Sequence, residues 1–159
     1  MRTTIAGNWK MHKDQAEATA LLTGLLAGAA GDAAVNVIVA PPFPFLAGAV
    51  QQVAGSRIRV AAQNCHEAAQ GAFTGEVSAG MLCSIGVSHC ILGHSERRQF
   101  FGETDATVAK KIAAALANGI TPIYCCGERR EERERGIHFD VVTEQMKAAL
   151  GALPTEQLD

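Results

Sequence analysis

The chain is 159 residues long, 48% hydrophobic and 19% charged, a composition ordinary for a packed globule and bounded by the usual prior of one domain per 100–200 residues. Its net charge of −2 and pI near 6.2 give no broad basic field for a nucleic-acid backbone or an anionic membrane. No apolar run reaches the roughly 18 residues a membrane span needs, and Met1–Thr4 leads directly into Ile5-Ala6-Gly7-Asn8 without a secretory h-region, so a cytoplasmic location is expected.

In chain order, short β-branched runs predict strands at Thr3–Ala6, Val35–Ala40, Ile58–Ala62, Ser88–Leu92 and Thr121–Cys126. They are near-continuous apolar stretches, as in strands buried on both faces. Helical spacing fills the intervals. Asp14 precedes a stripe of Leu21, Leu22, Leu25 and Leu26, and Leu46, Ala49, Val50 and Val53 form the next. Ser78 caps a short helix carrying Met81, Leu82 and Ile85. Thr104 or Asp105 caps a helix with Val108, Ile112, Ala115 and Leu116, closed by Asn118-Gly119. Phe139, Val142, Met146 and Leu150 stripe a last helix, which Pro154 stops. Strand–helix alternation predicts a parallel sheet covered by helices, either open and doubly wound or part of a (β/α) barrel. Residues 1–159 are taken as a single domain, with 153–159 leading toward a sixth strand.

Cys65, Cys83, Cys90, Cys125 and Cys126 are odd in number, lie among apolar neighbours and contain no C-x-x-C pair, so buried reduced thiols are expected. The run Glu128–Arg135 carries four charges of each sign and predicts an internally paired, solvated surface.

Polar residues fall where strands run out, the position at which parallel α/β folds place their sites. At the end of the first strand, alternation puts Asn8 and Lys10 on one face and Trp9 on the other, an amide and an ammonium suited to an anionic ligand. The fourth strand delivers His94 to Ser95-Glu96, the cap and first turn of a short helix, whose dipole disfavours an imidazolium. A neutral imidazole there could donate to a carbonyl oxygen becoming an enediolate; the alternative is a histidine satisfied by nearby backbone. Arg97 and Arg98 are expected to pair with carboxylates such as Glu96, Glu103 and Asp105. Ala72-Phe73-Thr74-Gly75-Glu76 is a loop tip, read either as a subunit contact or as a capped turn before Ser78.

Taken together, Asn8-Trp9-Lys10-Met11, Ala61–Cys65, Gly71–Glu76, Ile91–Arg98 and Cys126-Gly127-Glu128 resemble the triosephosphate isomerase family along essentially the whole chain. The resemblance implies a (β/α)8 TIM barrel, here strands 1–5 with their helices, in a glycolytic and gluconeogenic isomerase. Such an enzyme interconverts dihydroxyacetone phosphate and glyceraldehyde 3-phosphate, as a cytosolic homodimer with no cofactor or metal. It makes Asn8 and Lys10 substrate-binding, His94 the carbonyl-polarising electrophile and Glu96 a carboxylate orienting Lys10 or relaying protons. It places Thr74 at the dimer interface and Cys125 beneath the catalytic base. His12 stands where the family most often has Asn, which is expected to alter packing or hydrogen bonding but not chemistry. Cys126 replaces a commoner aliphatic residue, where a small buried thiol should be tolerated.

The family's general base, a glutamate ending the sixth strand, has no counterpart in these residues, nor have the lid and main phosphate loops. Glu128 is assigned a structural role. A barrel of this kind takes about 250 residues, so 159 residues are expected to be inactive or nearly so alone. The competing readings are a non-catalytic half-barrel folding or assembly module, and a different phosphate-ligand enzyme on an open sheet. A strand order of 1-2-3-4-5 would exclude the open sheet.

Overall fold

A computed structural model of the chain describes residues 3–28, 35–151 and 153–154. Five strands, β1 (Thr3–Asn8), β2 (Val35–Ala40), β3 (Ile58–Ala62), β4 (His89–Leu92) and β5 (Thr121–Tyr124), form one sheet in the order β1-β2-β3-β4-β5. Every neighbouring pair is parallel, with Asn8 opposite Ala40 and Leu92 opposite Tyr124. This order excludes the open doubly wound alternative, whose first strand sits mid-sheet.

Parallel neighbours need long crossovers, and helices supply them. They are α1 (Gln15–Gly28), α2 (Leu46–Gln52), α3 (Ala79–Ser84), α4 (Ser95–Phe100), α5 (Asp105–Ala117), α6 (Arg130–Glu134) and α7 (His138–Leu150). Their starts follow the expected capping chemistry. Asp14 and Glu17 exchange side-chain-to-backbone bonds ahead of α1, Ser78 accepts from the Met81 N–H, and Thr104 with Thr107 forms a capping box on α5. α4 is the short helix expected after His94, with His94 rather than Ser95 as its N-cap, and α6 is a further short helix that no apolar stripe announced. The charged run lies on α6 and its approach, where Arg130–Glu134 and Arg133–Glu128 pair at 2.8 and 2.5 Å, as the sequence predicts.

Strand alternation divides the apolar residues between two faces. Val39, Ile58, Val60, Ala62, Cys90 and Leu92 pack beneath Leu22, Leu46, Leu82, Val108 and Ile112 of the helices. Ile38, Ala40, Ala61 and Ile91 form a second cluster with Ile123 and Cys125 on the inner face. Burial on both faces therefore holds for the central strands. It fails for β1, the edge strand, which is exposed from Thr3 to Gly7.

The last helix also departs from expectation. α7 packs on α5 and buries Ala149, while Phe139 of the predicted stripe is 77% exposed and Met146 is exposed too. Among the described residues there is no strand beyond β5 for that stripe to cover. The thiols divide similarly: Cys65 and Cys90 are buried and Cys125 half-buried, but Cys83 and Cys126 are exposed, Cys126 with its sulfur 3.8 Å from that of Met146. All five are free. The segment 155–159, expected to lead toward a sixth strand, lies outside the described residues.

Ile112 is almost completely buried between α5 and the sheet. Ile112→Ala is expected to lower unfolding stability by about 2–5 kcal/mol, read from the midpoint of a urea transition at unchanged slope.

Candidate active site

Parallel pairing brings every strand's C-terminal end to the same rim. β1 ends there on Asn8, and Trp9 turns to the helix-covered core as alternation requires. The backbone then bends sharply at Lys10, which adopts φ +54°, a region that non-glycine residues occupy only when their surroundings enforce it. Two bonds enforce it. The Asn8 side-chain oxygen accepts the Lys10 N–H at 2.9 Å, and the Gln63 amide donates to the Lys10 carbonyl at 2.9 Å and to that of Ala40 at 2.8 Å. Gln63 is thus part of the site although sequence reasoning gave it no role; its place one residue past β3 was the available signal.

The Lys10 ammonium donates to the Glu96 carboxylate at 2.5 Å. This bond, reinforced by the charge of the ammonium, holds the Glu96 carboxyl below the usual carboxylate range. His94 is the N-cap of α4. Its Nδ1 accepts the Glu96 N–H at 3.2 Å, and its carbonyl accepts the N–H groups of Arg97 and Arg98 at 2.9 and 3.1 Å. An accepting Nδ1 carries a lone pair, so in the neutral ring the proton resides on Nε2.

Asn8, Lys10, Gln63, His94 and Glu96 line one cavity of about 330 Å³, rimmed by Met11, Phe43 and Phe101. Of the residues expected from sequence, Asn8, Lys10, His94 and Glu96 are thus brought together and Thr74 is not. Thr74 sits on an exposed loop tip whose base is fixed by a His66–Phe73 ring contact at 4.2 Å and by the Ala68 N–H donating to His66 Nδ1. Gly71 enables that contact, since a Cβ there would meet the Phe73 ring at 2.7 Å. His12 is exposed beyond Lys10. Cys125 joins the inner-face cluster, and burial pushes its thiol up. A larger groove of about 810 Å³ runs beside the cavity, between α4 and α6, but much of its charge is already paired, as in Arg98–Asp105 and Arg130–Glu134.

Behind α4 lies a buried ionic cluster. Glu103 Oε1 accepts from Lys111 at 2.5 Å and from Arg97 Nε at 3.1 Å, and Lys111 also donates to the Asn64 side chain at 2.9 Å. The Glu103 and Lys111 side chains are only 3% and 8% exposed. Burial pushes the Glu103 carboxyl up, but the bonds and charges of Lys111 and Arg97 outweigh it and leave the carboxyl below its ordinary value. Arg97–Glu103 and Arg98–Asp105 are pairings the sequence anticipated; Lys111 was missed. Its signal was a lysine on the apolar stripe of α5, between Val108 and Ile112, where a charge needs a buried partner.

A parallel sheet in sequential strand order, with helices over one face and a cavity at the strands' carboxyl ends, is the architecture of part of a (β/α) barrel. The family model described as "Triosephosphate isomerase" matches residues 3–159. The chain is 51% identical to a triosephosphate isomerase of Chloroflexus aurantiacus, over 97% of this chain and 62% of that protein. It is 50% identical to one of Acetivibrio thermocellus, over 96% and 61% respectively. The crystal structure of triosephosphate isomerase from Bartonella henselae superposes with a TM-score of 0.90 at 37% identity, covering 98% of this chain and 63% of that one. The chain belongs to the triosephosphate isomerase family, and it spans about 62% of the length of the Chloroflexus relative.

Because the folded-state value of Glu103 is depressed, the stability drawn from its ionisation is complete above the ordinary value of 4.5 and is lost as pH falls through the depressed one. Lys111→Met is expected to cost about 3 kcal/mol at pH 7, at the low end for a broken buried pair because Arg97 remains. The deficit should shrink on acidification, once protonation of Glu103 removes the under-compensated buried charge. Urea unfolding at pH 7 and near the acid limit of the fold reads both.

Proposed function

We propose that the protein built on this chain interconverts dihydroxyacetone phosphate and D-glyceraldehyde 3-phosphate through an enediolate. The observation that carries this reading is the His94 geometry. With Nδ1 occupied by the Glu96 N–H, the ring donor left for a ligand in the cavity is Nε2–H. A neutral donor of that kind stabilises a carbonyl oxygen as negative charge develops on it. Lys10 offsets the substrate's anionic charge, and Glu96 holds the ammonium in place. Asn8 fixes the turn that presents it. Transfer of the proton between C1 and C2 needs a base within hydrogen-bond reach of carbon. The reading leaves that step to a carboxylate outside these 159 residues, which are therefore expected to bind substrate weakly and turn over at most a trace of it alone. A cytoplasmic setting accords with the free thiols.

Titration of the isotope-labelled chain with dihydroxyacetone phosphate is expected to shift resonances of His94 and residues around Lys10. Lys10→Met should weaken that response at least tenfold. Shifts indifferent to Lys10→Met overturn the site assignment, and turnover by the unmodified chain at rates typical of its relatives overturns the claim of inactivity.

The same reading includes a homodimer in which the Thr74 loop of one subunit reaches the site rim of the other. Support comes from the preformed, exposed tip bearing Phe73 and from the exposed apolar rim of Met11, Phe43 and Phe101 beside the cavity. Thr74→Arg is expected to raise the dimer dissociation constant about tenfold or more, equivalent to about 1.4 kcal/mol. Sedimentation equilibrium across a concentration series reads the change.

A further inference from the structure

Arg98 is the residue for which the sequence offered only an ion-pair partner, and the structure gives it more. Its side chain is 15% exposed and spends its donors in three directions. Nε donates to the Gly93 carbonyl at 2.7 Å, Nη1 to Asp105 at 2.5 Å, and Nη2 to the Cys125 carbonyl at 3.4 Å. Gly93 is the residue after β4 and Cys125 the residue after β5, so one guanidinium spans the ends of two strands. Asp105, the first residue of α5, is itself fixed by the Thr104–Thr107 capping box.

The consequence falls on His94. The Gly93 carbonyl belongs to the planar peptide that leads into His94, so fixing its direction fixes the orientation of the His94 N–Cα bond. The Arg98 backbone N–H donates to the His94 carbonyl at 3.1 Å. Both carbonyls flanking the histidine's Cα are therefore held by Arg98, one through its side chain and one through its main chain. The fit leaves no slack. Gly93 has φ +75°, and a Cβ there would lie 3.0 Å from Arg98 Nη2 and 3.0 Å from the Cys125 oxygen. The guanidinium occupies the space a side chain at 93 would need.

We propose that Arg98 is a positioning residue for His94: by bridging the Gly93 and Cys125 carbonyls it sets the peptide plane from which the imidazole projects and keeps Nδ1 on the Glu96 N–H. The proposal rests on the reading of His94 as the electrophile for its significance, but its test needs neither substrate nor turnover. A guanidinium is required because a lysine ammonium could still neutralise Asp105 yet has no planar fork with which to reach carbonyls on two strands.

The 159-residue chain contains five histidines, and selective 15N labelling resolves the two ring nitrogens of each. His94 is expected to show one protonated and one lone-pair nitrogen, widely split, at a pH where the ring is neutral. His66, whose Nδ1 accepts the Ala68 N–H at 3.0 Å on the distant loop, should show the same pattern and serves as an internal report on folding. In Arg98→Lys the His94 splitting should collapse toward a common averaged value while that of His66 persists. A His94 pattern unchanged in Arg98→Lys overturns the proposal, since charge alone would then suffice. If Arg98→Lys also loses the His66 pattern, Asp105→Asn decides. It leaves both carbonyl bonds in place, so a retained His94 splitting supports the bridge, and a lost one shows that the ion pair with Asp105 does the positioning and overturns it.

Discussion

Parallel pairing of the strands in sequence order is the constraint from which the rest of this molecule follows. It obliges each connection to cross back over the sheet, which is why helices cover one face and leave the other to a smaller cluster around Ile38, Ala61 and Ile91. It also sends every strand end to one rim, so that Asn8, Gln63 and His94 line one cavity although they lie far apart along the chain. An antiparallel arrangement of the same strands would distribute those residues between two ends. The chemistry of the site is thus a consequence of strand direction before it is a consequence of any single side chain.

At the rim, function is carried by backbone as much as by side chains. Lys10 sits in a conformation enforced by Asn8 and Gln63, and His94 in one enforced by the start of α4 and by the Arg98 guanidinium. The strain at Lys10 persists only because bonds from two other side chains agree on it. The buried Glu103–Lys111–Arg97 cluster plays the supporting part. It ties α5, the α4–α5 connection and α4 to Asn64 past the end of β3. Burying these charges is costly, and their mutual hydrogen bonds offset the cost. A rigid α4 is what that arrangement provides, and α4 presents both Glu96 and the N–H that holds the His94 ring.

Much of this was readable beforehand because it depends on local rules. The core strands, the caps at Asp14, Ser78 and Thr104, the division of Trp9 from Asn8 and Lys10, and the pairings of Arg97 and Arg98 follow from periodicity, capping chemistry and charge proximity. Other features resisted. Phe139 and Met146 carry a helical stripe yet remain exposed, because whether a stripe is buried depends on what stands opposite it. Cys126 is as apolar in its sequence setting as Cys90, but only Cys90 points into a packed face. Lys111 lies on the apolar stripe of α5, but nothing along the chain identifies Glu103 and Asn64 as the partners that hold it there.

By itself, then, the sequence determined the strand–helix alternation, the parallel α/β class and the family resemblance, and it singled out Asn8, Lys10, His94 and Glu96 as candidates, since each of these is encoded in short-range pattern and motif. Only the tertiary structure decided that Gln63 clamps Lys10, that Lys111 is buried on Glu103, and that Arg98 joins the ends of β4 and β5. The physical reason is that these contacts pair groups from different elements at hydrogen-bond distance. Such distances are set by how the strands and helices pack, and no spacing along the chain specifies them.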